Sequence, residues 1–202
     1  MKRRILCALG ALLVGVAAHA AALVLPEAVM EEAEPLLPVL RMEERLYSVN
    51  DGALVRLDEV TSEYTGQPMA WDRLALADVD QDGRLEAVLS FPISEADTGY
   101  LVLDSKDGLV TGYELPARAL MDLKADGSFG YASGAMDNGI GWLQFDGPEH
   151  RIIPESWMQT GPDGNPQYFV HGQPADEAAF HKALAFQQGM QDALWQVQPA
   201  QP

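Results

Sequence analysis

"LALADVDQDGRLEAVLSF", residues 74 to 91, changes character twice. Leu74 and Leu76 alternate with smaller residues at its start, and Leu85, Ala87, Leu89 and Phe91 alternate with Glu86, Val88 and Ser90 at its end. A two-residue apolar period is the period of a β-strand. Between the two runs stand Asp78, Asp80 and Asp82 at alternate positions, followed directly by Gly83. The layout is strand, aspartate loop, strand, and it directs the reading of the whole chain towards β-structure.

Numbered from Asp78, the three aspartates occupy positions 1, 3 and 5. Gly83 is position 6, where such a loop must bend sharply, Arg84 at position 7 offers its backbone carbonyl, and Glu86 is position 9. Alternating carboxylates converge on one point when the chain curls around it. Calcium takes about six to eight oxygen ligands in flexible geometry, and oxygen donors are what this loop supplies. Without a cation, carboxylates this close repel one another. Asp and Gly also suit ordinary turns, but a turn does not require this many acids. The expected site is one calcium ion held by Asp78, Asp80, Asp82, Glu86 and the Arg84 carbonyl. The loop is not an EF-hand, because position 12 is Leu89 rather than a bidentate glutamate.

The stretch "LALADVDQDGRLEAVLS" resembles the D-x-D-x-D-G-x-x-D/E calcium loop of FG-GAP-type repeats, found in the blades of integrin-like β-propellers. That resemblance implies an EF-hand-like, calcium-binding loop between strands. It does not imply a propeller, which needs several blades where this chain has one such loop. A longer series is "SVNDGALVRLDEV", "LVLDSKDGLVTGYEL", "RALMDLKADGSF", "GAMDNGIGWLQF" and "HGQPADEAAFHKAL". In that order it resembles a group of secreted or envelope proteins of Gram-positive gut bacteria. This second resemblance implies export and the fold layout, and implies no reaction.

Outward from the loop, Asp-Gly recurs at 51–52, 107–108, 126–127, 146–147 and 163–164, with Asn138-Gly139 beside them. Such dipeptides suit tight hairpin turns, because their residues tolerate positive φ. Strand-like runs flank several, so hairpins are expected to turn at Lys106–Gly108 and at Asp137–Gly139, with a last pair of strands around Gly161–Gly164. Ahead of them, Pro26 with its following acids and the 40–47 heptad spacing predict helical segments over 21–47, interrupted at Pro35 and Pro38. After the strands, Pro174, Asp176 and Glu177 predict a helix stopping near Gly189. The fold class expected is α+β: mainly an antiparallel β meander of hairpins, with N-terminal helix segments and a C-terminal helix. The meander and helix form one β-rich domain over 48–197, followed by a frayed tail at 198–202.

Residues 1–20 read as a signal peptide. Lys2, Arg3 and Arg4 precede an apolar run from Ile5 to Val16, and Ala18-His19-Ala20 offers small residues where a signal peptidase reads. The alternative is a retained anchor. The one cysteine, Cys7, lies inside this segment, so the expected mature chain has no disulfide and no thiol nucleophile. The chain carries 13 Lys+Arg against 30 Asp+Glu, a formal charge of −17. So acidic a chain repels nucleic acid and anionic membranes and tolerates a divalent cation. The expected location is secreted or in the cell envelope, with no membrane insertion beyond the signal segment.

No G-x-S-x-G, phosphate loop or dinucleotide fingerprint is present, and His150, His171 and His181 lack metal-ligand spacing. No catalytic residue is therefore assigned. Tyr113, Tyr131, Trp142 and Trp157 fall on strand-like segments, where they either pack or stack on a ligand. Three function classes follow. The first is an exported domain with a structural calcium loop and an unidentified protein or glycan partner. The second is a carbohydrate- or protein-binding module using the strand aromatics. The third, an acid-residue hydrolase, would need two facing carboxylates away from the loop.

Overall fold

The structure, a computed structural model, describes residues 33–197. The expected signal peptide, the first part of the 21–47 segment and the tail lie outside the described residues. In chain order the elements are helix α1 (Leu37–Leu40), strands β1 (Leu46–Ser48) and β2 (Ala53–Val55), a 3-10 turn at Leu57–Glu59, and β3 (Arg73–Ala77). Next come β4 (Glu86–Pro92), β5 (Thr98–Lys106), β6 (Leu109–Leu115), β7 (Phe129–Ala132), β8 (Asn138–Asp146) and β9 (Glu149–Thr160). The chain continues through β10 (Pro166–Val170), β11 (Gln173–Ala175), helix α2 (Glu177–Gln188) and β12 (Gln196–Val197). The protein is mostly β with few helices, broadly α+β.

The strands form two sheets rather than one meander. The larger runs β12-β3-β4-β5-β6-β1-β2 and the smaller β11-β10-β9-β8-β7. Neighbours are antiparallel, except that β1 lies parallel to β6. Two sheets are needed because the centre of the larger one is apolar on both sides: β4 is buried continuously from Glu86 to Phe91. On one face Ala87, Leu89, Phe91, Leu101 and Leu103 pack with α1, Leu46, Leu57 and Val60. On the other, Ala75, Ala77, Val88 and Val102 meet Phe129 and Leu143 of the smaller sheet. Each of the Val, Leu and Phe side chains among them contributes about 1.5–3 kcal/mol on burial, so both interfaces are substantial.

The turn chemistry holds closely. The glycine of every Asp-Gly pair, at 52, 83, 108, 127, 147 and 164, has positive φ. The β5–β6 hairpin turns at Asp107–Gly108 as expected, with Tyr100 opposite Leu115 and Leu103 opposite Gly112. The Asn138-Gly139 turn is not there. The chain reverses over 133–137, and both residues sit inside β8. Gly139 serves close strand approach instead, since a Cβ on it would lie 2.4 Å from the Ser156 carbonyl oxygen.

Of the expected N-terminal helical segment, only residues 33–47 fall among the described residues. Within 33–47 there is a single helical turn with Pro38 near its start, closed by Met42 at φ 61°, and then strand. Leu46 and Tyr47 pair with β2, and Tyr47 with β6 as well. The pull is burial: Leu46 is completely enclosed, a position it reaches only as a strand residue beside β6. At the other end, Pro174 lies in the edge strand β11 rather than opening the helix, and α2 starts three residues later at Glu177, with the Asp176 carboxylate accepting from the Ala179 N–H at 2.7 Å. Gly189 closes the helix as expected.

Candidate metal centre

β3 and β4 pair down to Ala77 opposite Glu86. The eight residues between are the aspartate loop. Positive φ at Gln81 and Gly83 curls it back on itself. Its own amides hold the curl. Val79 N–H donates to Glu86 Oε2 at 2.8 Å, Gly83 N–H to Asp78 Oδ2 at 3.0 Å, and Asp82 N–H to Asp80 Oδ1 at 3.1 Å. The result brings one carboxylate oxygen each from Asp78, Asp80 and Glu86 within 4.8 Å of one another. Ionised pairs at that separation repel by about 3–4 kcal/mol at an effective dielectric near 20.

The surroundings sharpen the problem. Glu86 is 1% exposed. Burial, then the nearby Asp80 carboxylate, pushes its carboxyl up to about 9, although the Val79 amide pulls the other way. Burial and the Asp82 charge likewise raise Asp80. Asp78 Oδ1 is buried with no hydrogen-bond partner. Such an atom forfeits its hydration without recompense unless something binds it.

Asp82 has another partner. Arg84 donates to its carboxylate through Nε at 2.9 Å and through its backbone N–H at 2.9 Å. That guanidinium holds Asp82 below the usual carboxylate range. Of the five residues expected at the site, the fold thus gathers the carboxylates of Asp78, Asp80 and Glu86, and leaves Asp82 beside them in an ion pair with the Arg84 side chain.

One acid escaped the sequence reading. Asp104 on β5 is 5% exposed, and burial pushes its carboxyl up. The β4–β5 register places Ala87 opposite Leu103, so Asp104 falls one step further along, beside Glu86. Its charge acts on Glu86, Asp80 and Arg84. The signal was present in "LVLDSK", where an acid takes a position that the strand alternation turns inward.

The smaller sheet and the turn leading into it brace the loop. Gln81 Nε2 donates both to the Asp78 carbonyl at 2.9 Å and to the Asp126 carbonyl at 2.8 Å. Leu143 N–H on β8 donates to the Val79 carbonyl at 2.7 Å. Gly127 packs so closely that a Cβ there would fall 1.8 Å from the Asp78 carbonyl oxygen.

Among the described residues, the strand aromatics do not assemble into one platform. Tyr113 is buried, stacked on Phe145 at 4.5 Å, with its hydroxyl donating to the Gly147 carbonyl at 2.6 Å. Tyr131 packs into the space between the sheets, Trp142 lies by α2, and Trp157 stacks on Phe169. The four aromatics therefore share no single face. The other buried glutamate, Glu114, is engaged by Ser62 Oγ at 2.6 Å, the Glu63 N–H at 2.8 Å and the Asn50 amide.

Fold and loop together define a two-sheet β-rich protein with an acidic cluster that could hold a metal ion. Set against known proteins, the chain matches no family model, no curated protein and no solved structure. Among the described residues, no helix is long and apolar enough to cross a membrane.

Proposed function

We propose that this is an exported β-rich protein whose aspartate loop binds one calcium ion as a structural staple between its two sheets. The observation that carries the reading is the convergence of Asp78, Asp80 and Glu86 on one point, with an Asp78 oxygen buried and unpartnered there. A divalent cation removes the mutual repulsion, supplies the missing partner and offsets the desolvation of Glu86. Calcium suits the site better than magnesium. The donors are all oxygens on a curled loop, whereas magnesium demands near-ideal octahedral geometry and keeps more of its water. Asp82 and the Arg84 carbonyl complete the ligand set in this reading, with Asp82 exchanging its guanidinium partner for the ion. Export rests on the basic start, the apolar run and the small residues at 18–20.

Titration calorimetry on metal-free protein tests the proposal. One calcium ion should bind per chain, and Asp80→Ala should abolish most of the heat. An isotherm identical in wild type and Asp80→Ala would remove the site from consideration.

A further inference from the structure

The outer face of the smaller sheet is only partly covered by α2. Between the helix and strands β8, β9 and β10 lies a cavity of about 470 Å³, within the range of small-molecule sites. Its aromatic walls are Trp142 from β8 and Phe186 from α2, the latter 74% exposed. Two acidic residues, Asp126 and Glu155, are among its lining residues, with Lys182 on the helix side and His171 beside β10 as the basic ones. The Asp126 carboxylate accepts from Ser128 through Oδ1 at 2.8 Å, and Glu155 meets His171 Nδ1 through Oε1 at 2.9 Å. Among the described residues, the second oxygen of each takes no hydrogen bond or ion pair. A half-open, mainly apolar recess with aromatic walls and acidic residues favours a positive ligand, because ring faces and carboxylates both attract cations. The whole chain adds to this preference: at −17, its field draws cations and repels anions.

We infer that this cavity binds a small organic cation, an amine with an aromatic or branched apolar body. The ammonium sits toward Glu155 and Asp126, and the apolar body lies between Trp142 and Phe186. Lys182 opposes the ligand's charge and sets an upper limit on affinity. The inference does not rest on the calcium reading, since no residue of the acidic cluster lines the cavity.

The test uses the full chain and two probes of matched shape and opposite charge, 2-phenylethylamine and 3-phenylpropionate. In titration calorimetry the amine should saturate one site and bind at least about ten-fold more tightly than the anion, a difference worth about one ion pair in a partly desolvated site. Glu155→Gln, which keeps an acceptor for His171, should weaken the amine about five- to ten-fold, and Lys182→Gln should tighten it. Ala183→Phe, on the helix wall of the cavity, should abolish binding. Should that variant not fold, the amide shifts of Ile140, Val170 and Phe186 in wild type decide the location. Equal binding of the two probes, no saturable binding of the amine, an unchanged amine isotherm in Glu155→Gln, or amide shifts confined to other residues would each overturn the inference.

Discussion

The Leu143 amide donates to the Val79 carbonyl at 2.7 Å. Val79 belongs to the aspartate loop of the larger sheet, and Leu143 to a central strand of the smaller one. The backbone of the acidic loop is thus part of the join between the sheets. Anything that stiffens or loosens the loop acts on that join.

Calcium removal should therefore lower the melting temperature. Extracellular calcium modules bind with Kd on the order of 10⁻⁴ to 10⁻³ M. At roughly millimolar calcium the stabilisation is about 0.4–1.4 kcal/mol, or roughly 1–6 °C for a chain of this size. Calorimetric melts with calcium and with a chelator check this. A melting temperature indifferent to chelator, in protein that binds calcium, would rule out the staple.

The loop acids should rank unequally. Asp80→Ala should cost more calcium affinity than Asp82→Asn, because Asp80 lies in the convergent group while Asp82 must first leave Arg84. Arg84→Gln should raise affinity two- to three-fold, about the worth of one exposed ion pair. Titrations of the three variants give the order directly, and a larger loss in Asp82→Asn than in Asp80→Ala would reverse it.

Gly127→Ala should be costly despite its small size. The position has φ +83°, and the added carbon would lie 1.8 Å from the Asp78 carbonyl oxygen. Strain and displacement together should destabilise by about 2–4 kcal/mol, read from denaturant unfolding. Calcium affinity should fall with it, since the turn presses on the Asp78 backbone.

His150 supplies a pH dependence. Its ring is half-buried, edge-on to Tyr113 at 5.8 Å, and burial lowers its pKa from 6.5, with Glu63 opposing. The unfolded chain then takes up the proton more readily than the native one. This contribution is fully present above the unfolded value of 6.5 and is lost as pH falls through the lowered native value. Proton NMR should find the His150 titration below 6.5, and His150→Gln should flatten stability across that window.

Much of this is legible in the sequence alone. Asp-Gly pairs dictate backbone conformations through glycine's own freedom, so their turns could be read locally. The convergence of Asp78, Asp80 and Glu86 could be read because alternation and one tight bend set it. What escaped depended on distant neighbours. Asn138-Gly139 has turn chemistry but is claimed by close strand packing. Tyr47 stands one heptad after Leu40 yet is drawn into a parallel pairing with Thr111, more than sixty residues away. Asp104 comes beside Glu86 only through strand register, which one chain segment cannot reveal.

The ends of both sheets have a consequence for life in a crowded solution. The terminal strands are β12 with two residues, β2 and β11 with three each, and β7 with four, while β5, β8 and β9 have nine, nine and twelve. Unpaired amides and carbonyls at the described sheet ends are therefore offered to other chains only in short runs, one of them interrupted by Pro174. A second copy has little ladder to extend, and the strong like charge of the chain opposes its approach. A protein this rich in β-structure is thereby guarded against recruiting its own copies into fibrils.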